Sequence, residues 1–219
     1  MRERAMRSLL IAAALSACAA LALTALVEAK DDAADQSAKD VLPSGSVSSQ
    51  AGLEAWTRIE AVVTHPRCAN CHVDAAGIPM WTPAGETKTR AHGMNIHAGE
   101  SRIGAETIAC STCHITSTDP NEPAPAPLRS GIDWQLAPVE FLWFDKTGAE
   151  ICEQLKDAKR NGGRDTAGLL EHLRHDASLN GFIPRAWQPG AGRSTPPGSF
   201  EDHVKDVALW GAAGQPCPR

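Results

Sequence analysis

The sequence predicts a mainly α-helical fold with long loops and little or no β-sheet. Several segments place their apolar residues three or four positions apart, which is the spacing of one face of a helix. Between these segments glycine and proline are frequent, with 18 and 15 among 219 residues, and both interrupt regular structure. Aromatic side chains are few, with six Trp, four Phe and no Tyr. A loop-rich chain of this kind gains stability if a cofactor fills part of its core.

Residues 1–29 have the pattern of an export signal. Three basic residues open the segment, namely Arg2, Arg4 and Arg7. An uncharged apolar run follows from Ser8 to Val27, and Val27-Glu28-Ala29 offers a small-residue cleavage site. The pattern therefore predicts secretion, with cleavage near Ala29 as the first interpretation.

Two other interpretations of this segment stay open. A run of 20 apolar residues is long enough to remain as an N-terminal membrane anchor. Leu15-Ser16-Ala17-Cys18 resembles a lipoprotein signal, although the residues after Cys18 are apolar rather than polar. All three interpretations place the rest of the chain in the periplasm, and two of them imply attachment to the membrane through the N-terminus.

The remaining chain divides into a spacer and one domain. Residues 30–49 are small and polar, which predicts a flexible linker. A first helix is expected to start after Ser48 or Ser49, and the domain covers residues 50–219. Residues 74–109 show no periodicity and contain several Gly and Pro, so we expect a long loop. Such loops in compact domains are usually functional.

Three further helices are predicted in the C-terminal half. A proline-rich stretch at residues 119–127 predicts an extended surface connector. Helices follow from about Thr147 to Arg160, with Ala158 turned inward, and from about Thr166 to Leu179. The last begins at Ser199, where Asp202 three positions on is close to a capping box.

Two pentapeptides stand on either side of the long loop. They are Cys68-Ala69-Asn70-Cys71-His72 and Cys110-Ser111-Thr112-Cys113-His114. Each has the form C-x-x-C-H, which is the attachment signature of a c-type haem. Two thiols one helical turn apart can add to the two vinyl groups of one porphyrin, and the adjacent histidine ligates the iron. The sequence therefore predicts two covalent haems, with His72 and His114 as proximal ligands.

The distal ligands are less clearly marked. His92 lies in the loop between the pentapeptides and is the first candidate, with Met94 as its competitor for the same iron. His172 lies on the flank of the apolar face of its predicted helix and is the second candidate, while His175 is expected to point toward solvent. A second histidine gives a lower reduction potential than a methionine.

The seven cysteines divide into groups that match this scheme. Cys18 lies in the signal, four belong to the pentapeptides, and Cys152 and Cys217 remain. In an oxidising compartment the remaining pair can form a disulfide between the C-terminus and an earlier helix. Two separate buried thiols are the alternative.

A longer pattern of residues extends the two pentapeptides across most of the domain. It runs through His65-Pro66-Arg67, His92-x-Met94-Asn95, Trp134-x-Leu136-Ala137-Pro138, Cys152-x-Gln154-Leu155-Lys156-Asp157, Asn161-Gly162-Gly163, His172, Trp187-x-Pro189-Gly190-x-Gly192-Arg193, Trp210-Gly211-Ala212 and Pro216-Cys217-Pro218. This order resembles a family of bacterial periplasmic dihaem c-type cytochromes, often named as subunits associated with isoquinoline 1-oxidoreductase. The chain departs from that pattern at Ile96-His97-Ala98-Gly99, where an Arg is expected before the glycine.

The resemblance implies a dihaem cytochrome c-type fold and an electron carrier. Its partners would be a molybdenum hydroxylase-type dehydrogenase, a soluble cytochrome or a membrane oxidase. Electron transfer needs no acid–base residues, so we expect no enzymatic activity. The alternative is a dihaem enzyme of the peroxidase or thiosulfate-oxidising type, with one labile iron ligand. A redox sensor, or a zinc protein built on the same cysteines, agrees less well with an exported chain that has no signalling module.

The charge of the chain excludes one further class. The formal net charge is −5, and removing the three Arg and two Glu of residues 1–29 leaves 18 basic and 24 acidic residues, a net charge of −6. A nucleic-acid-binding protein would show a basic stripe. The sequence therefore predicts no nucleic-acid partner.

Overall fold

The computed structural model describes residues 32–105 and 108–219. The fold is mainly helical with little sheet, as the sequence predicted. The export signal, its cleavage near Ala29 and the lipobox at Cys18 lie outside the described residues. No helix within the described ranges combines the length and the hydropathy needed to cross a membrane.

The helices are numbered in chain order. They are α1 at residues 32–40, α2 at Ser49–Val63, α3 at Pro66–Ala69, α4 at Gly148–Lys156, α5 at Thr166–Ser178, α6 at Phe182–Arg185 and α7 at Phe200–Ala212. Helix α2 lies against α7 and α4, and α5 lies against α6 and α7. Their apolar faces form one core, in which the rings of Trp56 and Trp210 are 5.2 Å apart.

The starts of the helices agree with the capping residues in the sequence. The side chain of Ser48 accepts a hydrogen bond at the start of α2, and Asp165 does the same for α5. Thr147 and Ser199 form full capping boxes at the starts of α4 and α7. These side chains satisfy N–H groups that have no partner inside the helix, so the four predicted helix starts are confirmed.

Two predictions about local structure are corrected. Residues 32–40, placed in a flexible linker, are helical, and Arg174 holds their end through an ion pair with Asp40 at 2.7 Å. Helix α4 ends at Lys156 instead of Arg160, and Ala158 is exposed. The chain turns there because the buried Asn161 amide donates to the Leu155 carbonyl at 2.7 Å.

The long loop at residues 74–109 contains two short antiparallel hairpins. Strand β1 (Met80–Trp81) pairs with β2 (Arg90–Ala91), and Met80 lies opposite Ala91. Strand β3 (Gly104–Ala105) pairs with β4 (Ile108–Ala109). A small second core of Val73, Ala98 and Leu136 packs beside Cys71 and connects this loop to the first pentapeptide.

Arginine side chains hold the other irregular segments in place. Arg102 donates to the backbone carbonyls of Val73, Asp74 and Ala137, at 2.9, 2.7 and 2.9 Å. Arg185 likewise donates to the carbonyls of Ser117 and Asp119, at 3.0 and 2.7 Å, at the start of the proline-rich connector. These bonds satisfy carbonyls that lie in no helix or sheet.

Cys152 and Cys217, the candidate pair, are joined by a disulfide. Cys152 is fully buried in α4. The indole Nε1 of Trp210 donates to the Pro216 carbonyl at 3.0 Å. The C-terminal segment is therefore fixed against both α4 and α7.

Candidate functional site

The first pentapeptide begins inside a short helix. The Nδ1 atom of His65 accepts the Arg67 backbone N–H at 3.1 Å and so caps α3. The backbone N–H of Cys71 then donates to the Cys68 carbonyl at 3.2 Å. The two thiols therefore lie one turn apart, which is the spacing that attachment to a single porphyrin requires.

The second pentapeptide forms a similar turn. Cys110–Thr112 is a 3₁₀ helix, and the backbone N–H of Cys113 donates to the Cys110 carbonyl at 3.1 Å. The N–H of His114 donates to the same carbonyl at 2.9 Å. All four cysteines of the pentapeptides are free thiols, and Cys113 is the exposed one among them.

The ring of His72 is fixed on two sides. Its Nδ1 lies 2.9 Å from the Phe141 carbonyl oxygen, which can only accept a hydrogen bond, so Nδ1 carries the proton. This leaves the lone pair of Nε2 for a metal. The ring also stacks on Trp143, with the centroids 3.5 Å apart and the planes 1° from parallel. The indole Nε1 of Trp143 donates to Gln154 at 2.8 Å, so the stacking partner is itself held.

The ring of His114 has a corresponding but looser environment. It stacks on Trp134, with the centroids 4.1 Å apart and the planes at 28°. Its Nδ1 is buried without a hydrogen bond of acceptable geometry. Burial lowers the pKa of His114, the charge of His92 lowers it further, and the nearby Leu128 carbonyl opposes the shift. The Leu128 carbonyl thus lies near the ring without forming a hydrogen bond to Nδ1.

Of the two loop candidates, His92 lies beside a proximal histidine and Met94 does not. The ring centroids of His92 and His114 are 6.1 Å apart. The Nδ1 of His92 lies 2.9 Å from the Gly93 carbonyl and so carries the proton, which leaves Nε2 free. Met94 has a positive φ of 63° and is 81% exposed. His97, nearby in the chain, is exposed, and its Nε2 lies 3.4 Å from Asn95 Oδ1.

His172 lies near enough to His72 for their charges to interact. Burial lowers the pKa of His72 to about 4, the Phe141 hydrogen bond opposes this shift, and the charge of His172 adds to it. Burial also lowers the pKa of His172 to about 4, although the residue is exposed. His175 is half-buried with an unpartnered Nδ1, which corrects the prediction that it faces solvent.

The thiols of the first pentapeptide are strongly desolvated. Burial raises the pKa of Cys68 to about 12 and that of Cys71 to about 11. Burial also raises the pKa of Cys110, and the charge of Cys110 contributes to the shift at Cys71, so the two pentapeptides adjoin. Disulfide exchange proceeds through a thiolate, so thiols with a raised pKa are poorly suited to it.

Exposed apolar side chains concentrate in the same stretch of chain. Eight large apolar side chains are exposed in the described residues, and five lie between residues 81 and 115: Trp81, Met94, Ile103, Ile108 and Ile115. Such a concentration indicates a surface that a ligand or partner covers. A porphyrin has the apolar area to cover several of them.

The chain supplies two pairs of histidines instead of one larger cluster. Within residues 32–105 and 108–219 no three His, Cys, Asp or Glu side chains gather in a form that could hold a bare metal ion. A haem iron takes four ligands from the porphyrin and needs at most two from the protein. The paired arrangement therefore suits a haem. A groove of about 470 Å³ lined by Trp187 and Phe200 lies elsewhere and contains no pentapeptide residue.

The stacking residues Trp134 and Trp143 and the Phe141 carbonyl were not predicted as part of the site. They belong to a segment without clear periodicity, so spacing carried no signal for them. Comparisons with known proteins add no further assignment: no protein-family model matches the chain, and no significant match was found among curated proteins or solved structures.

Proposed function

We propose that this protein is a periplasmic dihaem c-type cytochrome, with a dihaem cytochrome c-type fold, that carries electrons between a dehydrogenase and a downstream acceptor. One haem would be attached at Cys68 and Cys71, with His72 and His172 as iron ligands. The other would be attached at Cys110 and Cys113. The proposal rests above all on the two C-x-x-C-H turns, and at the second of them the ring of His92 lies beside that of His114.

The geometry of the second site supports His114 and His92 as ligands of one iron. Two imidazoles on opposite sides of a metal, each with a metal–nitrogen distance of about 2 Å, place their ring centres roughly 6 Å apart. The observed centroid separation is 6.1 Å. His92 donates from Nδ1 to the Gly93 carbonyl, which favours the tautomer that a ligand needs.

The protein residues would orient the ligands and tune their basicity. A haem iron supplies reversible one-electron chemistry when the cofactor is bound. The Phe141 carbonyl makes the His72 ring a stronger ligand by accepting its Nδ1 proton. Trp143 fixes the plane of that ring by stacking. With two histidines for each iron, no position is left for a substrate, which favours electron transfer over catalysis.

The arrangement of the two pentapeptides supports transfer within the protein and to a partner. Cys71 and Cys110 lie close enough for their charges to interact, which suits exchange between two adjoining haems. Cys113 is exposed, which suits exchange with another protein at the second site. A molybdenum hydroxylase-type dehydrogenase would be the donor, and a soluble cytochrome or a membrane oxidase the acceptor.

Spectroscopy of the purified, exported protein tests this proposal. We expect both irons to be low-spin and six-coordinate, and we expect the reduced protein not to bind carbon monoxide. A protein without covalent haem would overturn the proposal. A high-spin iron that binds carbon monoxide would instead indicate the dihaem enzyme.

A further inference from the structure

Arg67 is a half-buried cation without a counter-ion, and it directly precedes Cys68. Its guanidinium Nε is buried and has no hydrogen-bond partner. None of the ion pairs among the described residues involves Arg67. Leaving a desolvated charge uncompensated is strongly unfavourable, so an anion bound beside Arg67 would offset this cost.

Arg193 brings a second cation close to the first. Desolvation lowers the pKa of Arg67, and the charge of Arg193 lowers it further. Arg193 donates from Nη1 to the carbonyls of Glu122 and Pro189, at 2.9 and 2.8 Å, and from Nη2 to the carbonyl of Ala126. Carbonyl oxygens carry no net charge. These bonds therefore position Arg193 without bringing a negative charge to the two guanidinium groups.

Arg58 and Arg174 are matched by carboxylates, whereas Arg102, Arg185 and Arg193 donate to backbone carbonyls. Arg58 donates to Asp206 at 2.7 Å, and Arg174 binds both Asp40 and Glu201 at 2.6–3.2 Å. Arg67 has neither kind of partner at its buried Nε, and it lies beside one of the two places where the sequence predicts attachment of a cofactor that carries carboxylates.

We infer that Arg67, supported by Arg193, binds a carboxylate, and that this carboxylate is a propionate of the porphyrin attached at Cys68 and Cys71. The inference rests on the proposed function. The guanidinium presents parallel N–H groups that match a carboxylate, and the buried Nε of Arg67 is one such donor. Arg67 is thus a positioning residue for the first haem.

This role has a measurable consequence for the reduction potential. Oxidation adds one positive charge at the iron, so a nearby cation favours the reduced state. Loss of the Arg67 charge should shift the equilibrium constant for reduction of the first haem about tenfold toward the oxidised form, which is about 59 mV for one electron. A bond to the propionate should also appear in the resonance Raman bands of the propionate groups.

The test compares the haem-loaded wild-type protein with Arg67→Gln, Arg67→Lys and Lys205→Gln. Lys205 is an exposed cation on α7 whose side chain is 73% accessible, so Lys205→Gln controls for the loss of one charge. Arg67→Gln should lower the reduction potential of one haem, by the equivalent of about a tenfold change in its equilibrium constant for reduction. The same variant should shift the propionate bands. Arg67→Lys keeps the positive charge, so the reduction potential should stay close to that of the wild type while the propionate bands still shift. Lys205→Gln should change neither the potential nor the bands. Arg193→Gln serves as a second variant that should also shift the bands.

The outcomes separate this inference from the proposed function. Intact mass establishes first whether the wild-type protein and each variant carry two haems. A wild-type chain without haem refutes the proposed function itself. If both haems are present and Arg67→Gln leaves the propionate bands unchanged, the propionate contact is refuted, even if the potential falls. A saturable effect of added inorganic phosphate on the wild-type potential that is lost in Arg67→Gln would assign the site to a free anion and also refute the propionate contact.

Discussion

His72 and His114 show how two residues in identical motifs obtain different environments. The Nδ1 of His72 is bonded to the Phe141 carbonyl, and its ring lies flat on Trp143. The ring of His114 is tilted by 28° on Trp134, and its Nδ1 has no well-formed bond. The motif determines the spacing of these ligands, whereas the segment between Trp134 and Phe144, distant in sequence, determines their orientation.

Replacement of His92 should change one haem and leave the other intact. Its ring lies 6.1 Å from that of His114, so His92→Ala should convert one of two low-spin haems to a high-spin form that binds carbon monoxide. Met94→Ala is the matched control, because Met94 is 81% exposed and should not affect the spectrum. Absorption spectra of the reduced proteins measure both. The opposite pattern, a change in Met94→Ala alone, would assign the ligand to Met94.

Burial of His203 should make the haem-loaded protein sensitive to acid. Burial lowers the pKa of His203 from 6.5 to about 4, so the unfolded chain binds more protons between these values and stability falls as the pH drops from 6.5 toward 4. The loss for this group is about 2 kcal/mol at pH 5. In urea titrations His203→Gln should lose less stability than the wild type between pH 7.5 and pH 5. Equal losses in the two proteins would contradict this account.

At the scale of the element, capping residues predict where helices begin better than periodicity predicts where they end. Ser48, Thr147 and Ser199 bond to the first turns of their helices, so the signal and its structural effect are local. The end of α4 depends on Asn161, whose side chain reaches back to the Leu155 carbonyl. A polar side chain that bonds to backbone groups several residues away does not change the spacing of apolar residues, so the sequence pattern does not predict its effect.

Asn161 should be the most sensitive residue of this turn. Its side chain is 1% exposed, donates to the Leu155 and Arg164 carbonyls at 2.7 Å each, and accepts the Arg164 N–H at 2.9 Å. Asn161→Ala would leave these buried groups without partners, and we expect a loss of about 2–4 kcal/mol in the free energy of unfolding. Ser178→Ala, at an exposed position on α5, is the control. A loss below about 1 kcal/mol would mean that water replaces the amide at little cost.

The disulfide between Cys152 and Cys217 should contribute about as much as Asn161 to the free energy of unfolding. It closes 65 residues of chain, and removal of a native disulfide from a small secreted domain costs about 2–5 kcal/mol. The double variant Cys152→Ala/Cys217→Ala should unfold at lower urea concentration and still carry both haems. A double variant with unchanged stability would show that the C-terminal segment is held by packing and by the Trp210 hydrogen bond alone.

At the scale of the whole molecule, the helical half was predictable and the loop half was not. The helices follow from apolar spacing and caps, which are local in sequence. The loops are held by single side chains across long separations, as Arg102 joins Val73 and Asp74 to Ala137. Nothing in the composition of a Gly- and Pro-rich stretch specifies which carbonyls an arginine will find. The site spans both halves, so its motif residues were predicted and its orienting residues were not.

The two candidate centres differ in enclosure, which bears on the molecule as a carrier. Burial raises the pKa of Cys68 to about 12 and lowers that of His72 to about 4. At the second centre Cys113 is exposed. A carrier with one half-buried centre and one more accessible centre can exchange electrons with partners at the accessible surface.

The intact mass of the exported, purified protein distinguishes a dihaem cytochrome from a bare polypeptide. We expect a chain that carries two covalently attached haems. We further expect one haem in a variant with Cys110→Ala and Cys113→Ala, and one in a variant with Cys68→Ala and Cys71→Ala. A wild-type mass equal to that of the bare polypeptide, or to the polypeptide with a single haem, would contradict this expectation.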